Sequence, residues 1–246
     1  MKLSASQLLS FQRDGFLILR DFVSANRCDI ITDIAKAHLK HRVEPIETEF
    51  EYSGKDNDAK SVTVRRLRQV YERDIIFKSW MQDESIRDIL AQVLDDNPVL
   101  TLAHHNSIMT KMPHTSTNTE WHQDIRYWSF ESDNLVSVWL ALDEEYEANG
   151  VLEFIAGSHK MSFSSTQFEG KSYFSSTNPQ NQELIKSKSS VRLHKGDVVL
   201  FHCKLLHRAN KNSTDRAKIS FVYTVKGEKN RAIEGSRSAS LREIKL

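Results

Sequence analysis

The chain has 246 residues, and its 34 Lys and Arg nearly balance 33 Asp and Glu, leaving a formal charge of +1. That balance gives no electrostatic case for nucleic acid or an anionic membrane as the main partner. Hydrophobic residues at 39%, with 8 Gly and 4 Pro, suit a packed core and exclude a collagen-like or linker-like chain.

The length favours one large domain over 1–246, since all-β barrels and sandwiches reach this size as a unit. Two cysteines, Cys28 and Cys203, do not make a disulfide framework, which points to a reduced, cytoplasmic setting. Residues 1–20 lack a basic segment followed by an apolar one, and no stretch approaches the roughly 20 apolar residues of a membrane span.

In chain order, Ser4 or Ser6 can cap a first helix with Leu8, Leu9 and Phe11 on one face, stopped by Gly15. Residues 16–19 read as a short strand. Ser24 can cap a second helix in which Cys28, Ile31, Ile34 and Ala35 recur at helical spacing. Residues 41–58 are polar and irregular and read as a loop. Two more helices are expected over 75–80 and 86–94, ended by Asp95-Asp96-Asn97-Pro98. After Pro98 the pattern changes. Short strands rich in Val, Ile and Phe are predicted at 99–108, 136–142, 151–155, 198–202 and 219–225. Helices first and strands after imply an α+β fold: a double-stranded β-helix (jelly roll, cupin-like) core with the N-terminal helices packed outside. Residues 163–183, rich in Ser, Gln and Asn, are either a lid over a site or a surface insertion.

His122-Gln123-Asp124 is the most informative triplet. On a strand, residues i and i+2 face one side, so an imidazole and a carboxylate can meet one ion. A second imidazole downstream would complete a 2-His-1-carboxylate set, which leaves positions on Fe(II) open for a co-substrate and O2. The same donors would accept zinc, cobalt or nickel. The triplet alone is common, and the chain has ten histidines. His104, His105, His114, His159, His194 and His202 compete with His207 for the third position. His104 and His105 are adjacent, so on a strand at most one would enter a shared site; core packing or exposure is the simpler reading of both. Arg65, Arg66 and Arg68 form a basic cluster that either meets an anionic group or is a solvated edge, the second being the plainer reading.

Trp121-His122-Gln123-Asp124-Ile125-Arg126-Tyr127-Trp128 resembles the WHQDxxYW signature of the phytanoyl-CoA dioxygenase family. Further blocks agree in order. Val136-Ser137-Val138-Trp139-Leu140-Ala141-Leu142-Asp143 resembles the strand after the first ligands. Asn149-Gly150-Val151-Leu152 and Gly157-Ser158-His159-Lys160 resemble its NGxL and GSHK turns. Gly196-Asp197-Val198-Val199-Leu200-Phe201-His202, with His207 and Asn212, resembles its last block, and Gln12-Arg13-Asp14-Gly15-Phe16 its opening.

The resemblance covers about residues 9–223. It implies an Fe(II)- and 2-oxoglutarate-dependent dioxygenase that hydroxylates a C–H bond of a small-molecule substrate, with succinate and CO2 as co-products. It implies His122, Asp124 and His207 as iron ligands and places Gln123 and Trp139 against the co-substrate. Family members that halogenate have Ala or Gly at the carboxylate position; Asp124 therefore implies hydroxylation, desaturation or cyclisation. One departure stands out. The family usually has Arg six residues after the last Asn, to clamp the distal carboxylate of 2-oxoglutarate, but here that position is Lys218. Arg216 stands two residues earlier, and a strand over 217–224 would put Arg216, Lys218 and Ser220 on one face. Arg grips a carboxylate as a fork and Lys as a point charge. Lys218 is favoured on spacing, Arg216 is the rival, and Lys111 is a candidate second contact. Arg126, Tyr127 and Trp128 are candidates for the substrate mouth. Two other readings use the same scaffold: a non-redox cupin-like metalloprotein (isomerase or metal sensor), and a binding module without catalysis. The substrate and the oligomeric state are not legible in the sequence.

Overall fold

A computed structural model describes residues 1–54, 58–170 and 172–246. The N-terminal part runs α1 (Ala5–Asp14), β1 (Phe16–Leu19), α2 (Ala25–Lys40), β2 (Ile46–Thr48), α3 (Glu49–Ser53), α4 (Asp58–Val62), β3 (Val64–Arg68), α5 (Ile75–Met81) and α6 (Glu84–Leu94). Strands then dominate: β4 (Pro98–Thr101), β5 (Ser107–Lys111), β6 (Thr119–His122), β7 (Leu135–Ala141), β8 (Leu152–Phe154), β9 (Phe168–Glu169) and β10 (Tyr173–Phe174). After α7 (Pro179–Lys186) come β11 (Ser189–Ser190), β12 (Val198–His202), β13 (His207–Ala209), β14 (Lys218–Gly227) and β15 (Glu243–Lys245).

Local signals explain the helix ends. Ser4 accepts from the Gln7 amide in a reciprocal capping box, and Gly15 closes α1 at φ 82. Each such cap is worth about 1 kcal/mol. Leu9, expected on the packed face of α1, is 64% exposed; Phe11 carries the burial. Ser24 caps α2, which buries Cys28, Ile31 and Ala35 as expected. The predicted loop over 41–58 instead holds β2, α3 and the start of α4, where Thr48 and Glu51 form a capping box; its residues 55–57 lie outside the described ones. The predicted strand 99–108 is two strands, β4 and β5, broken by a turn in which His105 has φ 28.

Among the described residues every strand pairing is antiparallel. A nine-stranded sheet runs β1-β12-β7-β14-β5-β3-β2, with β4 on β14 and β15 on β4. A six-stranded sheet runs β11-β8-β13-β6-β10-β9. The alternation of β7 and β14 divides the core. Val138, Leu140, Phe221 and Tyr223 pack outward with α2, α5 and α6. Trp139, Ala141 and Val222 point the other way and meet Leu152, Phe154 and Ala209 of the smaller sheet. Full burial of side chains this size contributes about 1.5–3 kcal/mol each, which fixes the register. The interior between the sheets is where the site lies.

The turns of the sequence blocks lock these layers together. Gly15 lets α1 approach the Gly157–Lys160 turn: a Cβ there would sit 2.4 Å from His159 Nδ1. Ser158 Oγ accepts from the Leu206 amide at 2.8 Å, which seats the start of β13. Asp197 accepts from the amides of Asp21 and His194. Segment 163–183 is anchored: Phe168 and Phe174 are buried with Trp121, and β10 pairs with β6 at Tyr173 and His122. Cys28 and Cys203 are buried free thiols. Among the described residues no helix is long and apolar enough to cross a membrane.

Candidate metal centre and adjoining cavity

His122 ends β6 and His207 begins β13, and the two residues face each other in the ladder. Each ring is fixed by a backbone carbonyl close by in sequence. His122 Nδ1 lies 2.8 Å from Glu120 O and His207 Nδ1 lies 3.0 Å from Leu205 O. A carbonyl only accepts, so Nδ1 carries the proton on both rings and each Nε2 keeps its lone pair for a ligand. Burial, then the neighbouring His122, pushes the His207 imidazolium down to about 4, so the ring is neutral at neutral pH.

Asp124 follows β6 in a short 3-10 turn, Asp124–Tyr127. Its convergence with His122 is therefore a product of the turn, not of the strand alternation expected from the sequence. Asp124 is 2% exposed. Its Oδ2 accepts from Ser137 Oγ at 2.9 Å, and Oδ1 lies 3.6 Å from His122 Nε2 and 3.7 Å from His207 Nε2. Burial opposes its charge, but His105 and His207 prevail and hold its carboxyl well below the usual range. The three donor atoms lie within 4.8 Å of one another. Cis donors around a metal with bonds of about 2.1 Å are about 3 Å apart, so a small contraction closes the set. Two neutral imidazoles and one carboxylate suit a divalent cation.

These residues open on a cavity of about 360 Å³. Lys111, Lys218 and Trp139 are among its lining residues. Lys111 is 6% exposed, and among the described residues its ammonium hydrogen-bonds neutral oxygens: Thr117 O at 2.5 Å, Thr119 Oγ1 and Ala209 O. Burial, then Arg65 and Lys218, lowers its pKa well below the usual lysine value. Lys218 is differently placed. Its Nζ lies 3.0 Å from Glu145 Oε2, with both side chains buried. Glu145 Oε1 accepts from Ser220 Oγ at 2.6 Å and from Trp139 Nε1 at 3.0 Å.

Several expected residues stand elsewhere. Arg216 has 85% side-chain exposure and bonds Asp143 outside the cavity. It precedes β14, in a turn whose Arg216 carbonyl is held by Asn212 Nδ2, so the shared face predicted for 216, 218 and 220 does not extend to it. Ser220 is spent on Glu145 and does not line the cavity. Gln123 turns its amide to Lys204 O, and Arg126 lies over the Phe168 ring; neither lines it. Tyr127 and Trp128 do.

Sequence reasoning missed other contributors. His104 and His105 both line the cavity, because they sit in a turn rather than on a strand. His105 Nε2 is 3.0 Å from Asp124 Oδ1. Tyr173 enters from segment 163–183. Arg65, expected as a solvated edge, is 1% exposed. A register shift opposite Glu47 and Thr48 lets Arg65 and Arg66 both line the cavity. Glu145 carried no signal: two of its three partners, Lys218 and Ser220, lie more than seventy residues away on β14, and the third is Trp139 on β7.

The phytanoyl-CoA dioxygenase (PhyH) family model matches residues 11–220. The ectoine dioxygenase of Halomonas elongata is 23% identical over 94% of this chain and 72% of its own length. The phytanoyl-CoA dioxygenase domain-containing protein 1 of Bos taurus is 23% identical, over 90% of this chain and 89% of its own. Among solved structures, EctD from S. alaskensis with 2-oxoglutarate and 5-hydroxyectoine superposes with TM-score 0.76 at 20% identity, covering 94% of this chain and 78% of that one. The 2-oxoglutarate-dependent carbocyclase SnoK from nogalamycin biosynthesis gives 0.73 at 16% identity, covering 96% and 89%. The epimerase SnoN, in complex with Fe3+, alpha ketoglutarate and nogalamycin RO, gives 0.75 at 18% identity, covering 98% and 93%.

Proposed function

The chain belongs to the phytanoyl-CoA dioxygenase family, and from that premise we propose that it is a cytoplasmic Fe(II)- and 2-oxoglutarate-dependent oxygenase that hydroxylates a small-molecule substrate. One observation carries the reading. Two imidazoles locked at Nδ1 and one buried carboxylate meet in a cavity that is also lined by two buried lysines. A metal and a dicarboxylate fit that arrangement together. In this reading the two facing sheets form a double-stranded β-helix and residues 1–246 one oxygenase domain.

Bound Fe(II) supplies O2 activation, coupling the decarboxylation of 2-oxoglutarate to succinate and CO2 with oxidation of a substrate C–H. The rest is done by the chain. His122, His207 and Asp124 hold the metal, while Ser137 and His105 orient the carboxylate. Lys111 and Lys218 take the distal carboxylate against Trp139. Tyr127, Trp128 and Tyr173 wall the substrate side and exclude water. Asp124 fills the position that halide would need, which favours hydroxylation over halogenation. Desaturation and ring chemistry stay within reach, since the structural relatives include a carbocyclase and an epimerase.

Anaerobic addition of Fe(II) and 2-oxoglutarate is expected to give a weak visible charge-transfer band, and air to give slow succinate formation. Absence of both would overturn the assignment. The non-redox metalloprotein reading has one observation on its side: Glu145 already neutralises Lys218. It predicts metal binding without any response to 2-oxoglutarate.

The clamp has its own test. Lys111→Ala and Lys218→Ala are expected to weaken 2-oxoglutarate binding by about 10- to 100-fold, the loss of a charged hydrogen bond. Arg216→Ala is expected to leave it unchanged. Lys111 starts with a lowered pKa, and a carboxylate beside it favours its charged form. Binding should therefore take up protons and weaken as pH rises. Calorimetry in buffers of different ionisation enthalpy reads the uptake; a zero proton count would remove Lys111 from the clamp.

A further inference from the structure

The strand β3 brings more positive charge to this cavity than a metal and a dicarboxylate require. Arg66 pairs in register with Met109 and Arg68 with Ser107, so both side chains project on the Met109 side of the sheet, Arg66 partly buried against the main cavity and Arg68 exposed beyond it. There a second hollow of about 150 Å³ adjoins the main cavity, sharing Arg66, His104, His105 and Arg237 with it. Arg66, Arg68 and Arg237 all line this hollow, and no Asp or Glu does. Arg66 is partly neutralised by Glu47 at 3.0 Å. Neither Arg68 nor Arg237 forms a carboxylate ion pair among the described residues, although Arg68 is near enough to Glu51 to help lower its pKa. Arg237 is not on a loose tail. The next residue, Ser238, is 1% exposed, bonds His104 Nε2 at 2.7 Å and accepts from the Ser129 amide at 2.8 Å.

We propose that this hollow is an anion subsite for the substrate, which is therefore an organic acid or a phosphate ester held by Arg66, Arg68 and Arg237. The proposal rests on the oxygenase reading for the word substrate; the anion site itself stands on the arginines. Its position suits that role. His105 lines both spaces and contacts Asp124, so a molecule anchored in the hollow extends alongside the metal ligands. The subsite is also separate from the co-substrate end. Ser107, beside Arg68, and Lys111 are four residues apart on β5, about 13 Å along an extended strand. Two anions can thus bind together, one at each end. Forked guanidinium donors match both carboxylate and phosphate oxygens.

The test uses the Fe(II)-loaded protein with saturating 2-oxoglutarate, without O2, titrated with phenyl phosphate, benzoate and neutral benzyl alcohol. Both anions, or one of them, are expected to bind and to weaken as salt rises; benzyl alcohol is not. The tighter of the two anions assigns phosphate or carboxylate. Arg68→Gln and Arg237→Gln, both on exposed side chains, are each expected to weaken anion binding about tenfold or more with unchanged 2-oxoglutarate affinity. No anion binding in the native protein, binding indifferent to both substitutions, or binding lost instead in Lys111→Gln would overturn the subsite. Repeating the titration without 2-oxoglutarate separates the two assignments. Arginine-dependent anion binding in a protein that ignores 2-oxoglutarate supports the subsite and removes only the oxygenase reading.

Discussion

His207→Ala is expected to abolish Fe(II) binding and to cut 2-oxoglutarate-dependent succinate formation far beyond the roughly 10–100-fold that follows loss of an outer-shell partner. The reason is donor number. With His207 gone, His122 and Asp124 are the ligands left at the ion position among the described residues, and no third takes its place. His105 is the nearest further imidazole, but its Nε2 is engaged with Asp124 Oδ1. His207 also fills space, with its ring 4.9 Å from that of Phe201 and 4.2 Å from that of His122. A stability control is therefore needed, and His207→Gln keeps most of the volume. Anaerobic titration with Mn(II), followed by its paramagnetic signal, reads metal binding without turnover. Ser137→Ala sets the scale: it removes one hydrogen bond to Asp124 Oδ2, so the metal should weaken by about 10–100-fold and still bind. If His207→Gln and Ser137→Ala behaved alike, His207 would not be a ligand.

The site was legible in the sequence where chemistry is local and opaque where it depends on pairing across the sheet. His122, Asp124 and His207 were within reach because the blocks around them are turns with strict demands. Gly150 shows the demand plainly: at φ 84, a Cβ would stand 2.3 Å from Asn210 O. Asn212 bonds the carbonyls of Lys111 and Arg216, which ties the last block to the strand before the ligands. Residues of this kind leave a pattern that reads in one dimension. Arg216, the rival to Lys218, falls away because β14 starts at Lys218, so the alternation expected over 217–224 does not carry back to it. His105 was discounted on the same assumption, that 99–108 is a continuous strand. The turn that breaks it gives His105 its φ of 28 and its contact with Asp124. Arg65 and Arg66 became visible as cavity residues only through a bulge, which no single-strand pattern announces.

Glu145→Ala is expected to be strongly destabilising, costing about 3–5 kcal/mol, the range for breaking a buried ion pair on one side. The carboxylate is fully buried and serves three donors at once: Lys218 Nζ, Ser220 Oγ and Trp139 Nε1. Its removal strands an ammonium and two neutral donors in a place with 0–7% exposure. At about 2–4 °C per kcal/mol for a chain of this size, the melting temperature should fall by about 10 °C. The more telling measurement is what 2-oxoglutarate then does. In the native protein Lys218 already has a counter-charge, so the distal carboxylate adds to an existing pair and leans on Lys111. In Glu145→Ala the same carboxylate would meet an unpaired ammonium, and a ligand that binds only the folded state raises stability in proportion to its affinity. Added 2-oxoglutarate should therefore raise the melting temperature of the variant more than that of the native protein. An equal rise in both would place the distal carboxylate away from Lys218 and leave the clamp to Lys111 alone. A fall in stability under about 1 kcal/mol would mean that water reaches the Lys218 ammonium.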